Sequence, residues 1–258
     1  MLSVIPVPAF TDNYIWVIHD GKQAAVVDPG EARPALEFLA REKLKLSAVL
    51  LTHHHPDHIG GLAELLAHAP SAAPVSVFAP HDERIAQVTH RMREGERATL
   101  PALGVTLEVL EVPAHTRTHI AFHGAGMLFC GDTLFACGCG RLFEGTPAQM
   151  HAALTKLAAL PGDTRVYCGH EYTLANITFA RAAEPDNQDL PALEARCKAL
   201  RAKNQPTLPS TIAQERAMNP FVRVTAPGVV ASASRQSGRP LTDPVAVLGA
   251  IREWKNNF

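Results

Sequence analysis

Residues 46–61, LSAVLLTHHHPDHIGG, set an apolar strand-forming run directly against six positions that hold four histidines and one aspartate. In an extended chain alternate side chains share a face. His53 and His55 therefore point one way and His54 the other. Pro56 ends the extended run because it cannot donate to a ladder. Asp57 and His58 then stand at the entrance to IGGLAELLAH, whose apolar spacing is helical. The strand end offers two imidazoles, and the turn into the helix offers a carboxylate and a third imidazole. Two ligand groups from one short turn point to two neighbouring metals. A bare run of histidines can be a solvated loop, but this one is enclosed by a strand and a helix.

Three further predicted strands end in a potential ligand: LEVLEVPAH at His115, MLFCGD at Asp132 and RVYCGH at His170. Singly, such a histidine caps or fills a core and such an aspartate marks a turn. Four endings of this kind in one chain point to a site assembled on loops at strand ends. The segments 14–21 and 23–30 predict a hairpin that turns at Asp20-Gly21, and 73–80 predicts another strand. Helical spacing covers 32–43, 58–68, 81–88 and 147–159. The last of these has Thr146 as N-cap, Pro147 in the first turn and Gln149 to complete a capping box. Strands mixed with helices, without regular βαβ alternation, imply sheets packed together with helices outside. After about residue 173 the texture changes. LANITFARAA, LPALEARCKALRAK and DPVAVLGAIREWK are helical in spacing, and QPTLPST and SASRQSGRP read as loops between helices. Asp243-Pro244 is a helix start. The expected division is a catalytic domain over 1–173 and a small α-helical domain over 174–258.

A chain of 258 residues can bury a large core. Its net charge of −1 gives no bulk attraction for nucleic acid or an anionic membrane, and no apolar run is long enough for a bilayer. Five cysteines, an odd number, are no disulfide framework, and the Cys137-x-Cys139 pair is a weak zinc signal. The opening MLSVIPVPAF lacks the basic region and cleavage site of a secretory leader. The expectation is a cytoplasmic monomer.

THHHPDH fits the T-H-x-H-x-D-H signature of the metallo-β-lactamase superfamily, and His115, Asp132 and His170 follow in that superfamily's order. GDTLFACGCGRLFEGT (131–146), YCGHEYTLANITFA (167–180) and the closing DPVAVLGAIREWKNNF narrow the match. Over essentially its whole length the chain resembles the hydroxyacylglutathione hydrolases, also called glyoxalase II. The resemblance implies an α+β fold: an αββα sandwich of two mixed sheets with outer helices, plus the helical C-terminal domain. It implies a first metal held by His53, His55 and His115, a second held by Asp57, His58 and His170, and Asp132 bridging both. Two divalent ions suit such donors, zinc first, with iron or manganese also accepted. His54 is the variable position of the motif, and His119 is structural or supports a ligand.

The implied reaction converts S-(2-hydroxyacyl)glutathione, with S-D-lactoylglutathione the expected substrate, to glutathione and D-lactate in methylglyoxal detoxification. Asp57 would be both ligand and orienter of the attacking hydroxide, with no serine or cysteine nucleophile. By the same resemblance Arg141, Tyr172, Arg252 and Lys255 hold the glutathione part. Arg252 and Lys255 are three residues apart and share a helix face; outside the family they would read as solvated charges. Some relatives carry Tyr at the position of Phe143, so one hydroxyl is missing here. The nearest rival is an iron persulfide dioxygenase on the same fold. A rival of another class is a protein whose metals serve only as structural clips; seven His/Asp ligands, which leave positions for water, argue against it.

Overall fold

The computed structural model describes residues 2–258. They form two compact units: the chain up to 111 with 118–131, and 112–117 with 132–258.

In the first unit β1 (Ser3–Ala9), β2 (Asn13–His19), β3 (Gln23–Val27), α1 (Ala32–Arg41), β4 (Lys45–Leu50), α2 (Pro56–Ile59), α3 (Leu62–His68), β5 (Ser76–Pro80) and β6 (His90–Met92) follow in order. The six strands make one mixed sheet in sequence order. Its first three strands are antiparallel, and β4, β5 and β6 are added in parallel. The expected hairpin is present. The Asp20 carboxylate accepts the N–H groups of Lys22 and Gln23, both at 2.8 Å, which closes the turn. Only His19 of β2 is more than slightly exposed, so both faces of the sheet are covered. On one face Ile15, Val17, Val26, Val49 and Val77 pack against Ala35, Phe38 and Leu39 of α1 and Leu62 and Leu65 of α3. On the other, Trp16, Ile18, Val27, Leu50 and Phe78 are also buried. Each large apolar side chain so placed contributes roughly 1.5–3 kcal/mol.

The same unit continues with β7 (Arg97–Leu100), β8 (Val105–Glu111), β9 (Ile120–Gly124) and β10 (Met127–Gly131), an antiparallel run in sequence order. Leu107, Val109, Phe122 and Phe129 alternate inward and are fully buried. The Ile120 N–H donates to the Thr52 carbonyl at 3.0 Å, tying β9 to the start of the histidine run.

Two expectations are corrected here. The single helix over 58–68 is two pieces, α2 and α3, interrupted at Gly60-Gly61. Residues 81–88 are turns and bends instead of a helix. Asp82 takes both the N–H and the guanidinium of Arg84, while Arg91 bonds the carbonyls of Asp82 and Ile85. These side-chain bonds outcompete the helical pattern.

In the second unit the elements are β11 (Leu134–Phe135), β12 (Gly138–Cys139), α4 (Pro147–Ala158), β13 (Arg165–Cys168), α5 (Thr173–Ala183), α6 (Asp189–Arg201), β14 (Ser210–Thr211), α7 (Ile212–Met218), α8 (Pro227–Ser237) and α9 (Pro244–Asn256). α4 starts as expected: Thr146 and Gln149 form a reciprocal capping box, worth about 1 kcal/mol. Asp243 caps α9 through the Ala246 N–H at 2.8 Å. SASRQSGRP corrects another expectation, since its first six residues end α8 and the chain leaves the helix at Gly238 in the left-handed region. Ile177, Ala180, Leu190, Leu193, Cys197 and Met218 form a core that also takes in Cys137. Among the described residues no helix is long and apolar enough to cross a membrane.

Candidate active site

The first unit carries His53, His55, Asp57 and His58 on the loop after β4 and the first turn of α2. His53 Nε2 faces His55 Nδ1 at 3.1 Å, as alternation along an extended chain requires. His54 turns the other way and meets the Asp82 carboxylate at 3.5 Å.

Hydrogen-bond directions fix the tautomers. The Thr52 hydroxyl has one proton, and it goes to Asp28 Oδ2 at 2.6 Å. Thr52 therefore accepts from His53 Nδ1–H at 3.0 Å, and His53 Nε2 carries a lone pair. His58 Nδ1–H likewise donates to Asp28 Oδ2 at 3.1 Å. His58 Nε2 is then an acceptor, 3.5 Å from Asp57 Oδ2. Asp28, His53 and His58 are all buried and converge within 4.8 Å. A carboxylate behind the imidazole is the usual support of a metal-binding histidine, and Asp28 takes that place behind His58. The donors fit a divalent metal.

Asp28 was not singled out from the sequence. Its signal was available, because QAAVVDPG is another strand ending in an acid. Asp28 sits at φ +50. The turn it opens presses on the histidine loop: a Cβ on Gly30 would lie 1.9 Å from the Asp57 carbonyl oxygen. Asn13 was also missed. Its amide donates to Asp57 Oδ2 at 3.0 Å and holds that carboxylate in place. His119 is buried and stacks on His53 with ring centroids 4.5 Å apart.

The second unit carries His115, Asp132 and His170. His115 Nδ1–H donates to the Arg141 carbonyl at 2.9 Å. Its Nε2 lone pair lies 3.5 Å from Asp132 Oδ2, and His170 Nε2 lies 3.2 Å from the same oxygen. Here too two imidazoles and a carboxylate converge. Tyr172 stacks on His170 at 4.7 Å and is partly exposed. Arg141 is exposed, and exposed Phe143 sets its ring edge against His115 at 5.3 Å.

Arg252 and Lys255 are not solvated charges. Arg252 is 4% exposed, and one guanidinium nitrogen donates to the Cys139 carbonyl at 2.8 Å. Its Nε has no protein partner. The Lys255 ammonium donates to Asn176 Oδ1 at 2.6 Å. Burial first, and repulsion from Arg252 second, lower the Lys255 pKa to about 8. Burial raises the Glu215 carboxyl to about 7, against the stabilising bonds from its neighbours.

Residues 9–170 match the metallo-β-lactamase superfamily. The solved structure of BLEG-1, a B3 metallo-β-lactamase, is similar with a TM-score of 0.63 at 24% identity, covering 86% of this chain and 99% of that one. The chain thus has the metallo-β-lactamase fold, with the α+β class and two sheets expected from its sequence. Residues 171–258 match the hydroxyacylglutathione hydrolase C-terminus. The chain is 59% identical to the hydroxyacylglutathione hydrolase of Cupriavidus taiwanensis, over 100% of both. It is 52% identical to that of Nitrosomonas europaea, over 100% of this chain and 97% of the relative. The chain belongs to the hydroxyacylglutathione hydrolases, the glyoxalase II enzymes of that superfamily.

Proposed function

We propose that this protein hydrolyses S-D-lactoylglutathione and related S-(2-hydroxyacyl)glutathiones to glutathione and the 2-hydroxy acid, as a cytoplasmic monomer in methylglyoxal detoxification. Residues 1–173 form the catalytic domain and 174–258 the substrate-binding domain. His53, His55 and His115 hold one divalent ion, Asp57, His58 and His170 a second, and Asp132 both; zinc is the first choice of metal. When bound, the ions supply Lewis acidity and lower the pKa of water to about 7.

The chain's own residues do the rest. Asp57, fixed by Asn13, orients the attacking water. Asp28 and the Arg141 carbonyl hold His58 and His115 in the tautomers that present Nε2. The leaving thiolate needs little acid assistance, since a thiol pKa is about 8.5. Arg141, Tyr172, Arg252 and Lys255 take the glutathione part, whose two carboxylates call for cationic partners. The unpartnered Nε of buried Arg252 and the low-pKa ammonium of half-buried Lys255 are two cations that an anionic substrate would relieve.

One observation carries the reading. Clustered His and Asp donors and a buried arginine with a half-buried lysine occur together in a chain that matches hydroxyacylglutathione hydrolases over its full length. The test sets two substrates against each other: S-D-lactoylglutathione followed by loss of thioester absorbance, and glutathione persulfide followed by oxygen uptake. The first is consumed and the second is not. Oxygen uptake without thioester hydrolysis would assign the chain to persulfide oxidation.

A further inference from the structure

The segment between Asp132 and Arg141 is gripped on its main chain by four side chains from three later parts of the sequence. The Phe135 and Gly138 carbonyls accept from the Asn219 amide at 3.2 and 2.9 Å. The Ala136 carbonyl accepts from Asn176 at 3.0 Å. The Cys137 N–H donates to the Glu215 carboxylate at 2.9 Å, and Arg252 takes the Cys139 carbonyl. Five consecutive residues are thus held one by one. The hairpin's own ladder pairs only Leu134 with Cys139 and Phe135 with Gly138. Its turn places Cys137 at φ +56, where a residue with a Cβ is disfavoured, so the side-chain bonds add to a turn that is locally unfavourable. A Cβ on Gly138 would come within 2.5 Å of the Asn176 amide, so the grip also needs glycine there.

Glu215 is the costly member. It is 2% exposed, and it accepts from the Cys137 N–H and from the Asn219 amide, each at 2.9 Å, with the Ser210 hydroxyl also favouring its ionised form. An apolar filler would avoid the cost of burying an acid. What an acid adds is a fixed direction for one backbone N–H.

We propose that Glu215 and Asn219 are positioning residues of the substrate site: from the end of α7 they lock the 135–138 turn and through it set Arg141 for the glutathione part of the thioester. The role rests on the function proposed above. It assigns a task to two residues that touch neither metal nor substrate.

The test compares Glu215→Ala with Glu215→Gln in the full, metal-loaded chain. Glutamine keeps an oxygen for the Cys137 N–H and resembles the protonated acid. Glu215→Ala should raise KM for S-D-lactoylglutathione about tenfold with kcat changed by less than about threefold, whereas Glu215→Gln should leave both within about threefold. Amide exchange in a 133–141 peptide should quicken in the alanine variant and stay slow in the glutamine variant. An unchanged KM in a folded, metal-loaded Glu215→Ala protein overturns the proposal. So does unchanged exchange, or equal loss of KM and thermal stability in both variants. If the unaltered protein fails to hydrolyse the thioester, the function reading falls, and the exchange comparison still decides whether the clamp exists.

Discussion

The loop at 53–58 and the segment at 132–141 do the same kind of work by different means. In the first, four candidate ligands lie within six residues, and Asp28, Thr52 and Asn13 support them from the same unit. In the second, one candidate ligand, Asp132, stands at the head of a turn held by Asn176, Glu215, Asn219 and Arg252. The first is a junction that arranges itself locally. The second depends on helices up to 113 residues away in sequence. Support for candidate ligands can therefore be local in one unit and drawn from distant helices in the other.

The sharpest way to break this comparison is Asp132→Ala. If Asp132 serves both ions, the variant loses metal and several kcal/mol of transition-state stabilisation, roughly 1000-fold or more in kcat/KM. Metal analysis beside the thioester assay checks it, and full metal content refutes the shared role. Next in size is Asp28→Asn, which keeps one oxygen for the Thr52 N–H but puts an NH2 donor where Oδ2 accepts from the Thr52 hydroxyl and His58. Metal affinity should fall about 10–100-fold, measured by competition with a chelator. An unchanged affinity would mean that the first loop holds itself without Asp28.

Arg252→Ala with Lys255→Ala should raise KM at least ~10-fold and lower kcat much less; an unchanged KM removes both from substrate binding. Lys255 also sets a pH dependence. Its pKa is lowered to about 8, so the ammonium is present below that pH and is lost above it. KM should rise above pH ~8 by a few-fold, and Lys255→Arg should flatten the rise. A KM profile that is flat in the unaltered protein contradicts the assignment. The smallest effect is expected from His54→Ala, which should keep both metals with affinity within about twofold, because His54 Nδ1 faces the Asp82 carboxylate and His54 is not among the donors that converge.

The same contrast explains what the sequence could tell. The histidine run was legible because a period of two and one proline decide where His53, His54 and His55 point. The strands ending at His115, Asp132 and His170 were legible because each is an apolar run with a polar stop. Capping of α4 and α9 was legible for the same local reason. Residues 81–88 were misread because Arg84 and Arg91 bond backbone and carboxylate groups that a helical pattern does not reveal. The first part of SASRQSGRP was misread because its serines and arginines suit a loop, yet Val229, Ser232 and Ala233 are buried. Glu215, Asn219 and Asn176 could not be found at all. Asn176 and Glu215 sit on ordinary helices and Asn219 follows the end of one, and their main-chain partners are 40 to 84 positions away. Arg252 and Lys255 drew notice only through the family, since isolated charges on a terminal helix otherwise read as solvent-facing.

The most direct test of the central claim uses a single purified sample. Metals per chain are counted, then loss of S-D-lactoylglutathione absorbance is followed before and after the metal is stripped and restored. The account predicts two ions per chain and hydrolysis that disappears on stripping and returns on restoration. Thioester hydrolysis that persists in the metal-free protein, or a protein loaded with two metals that leaves the thioester intact, would contradict it.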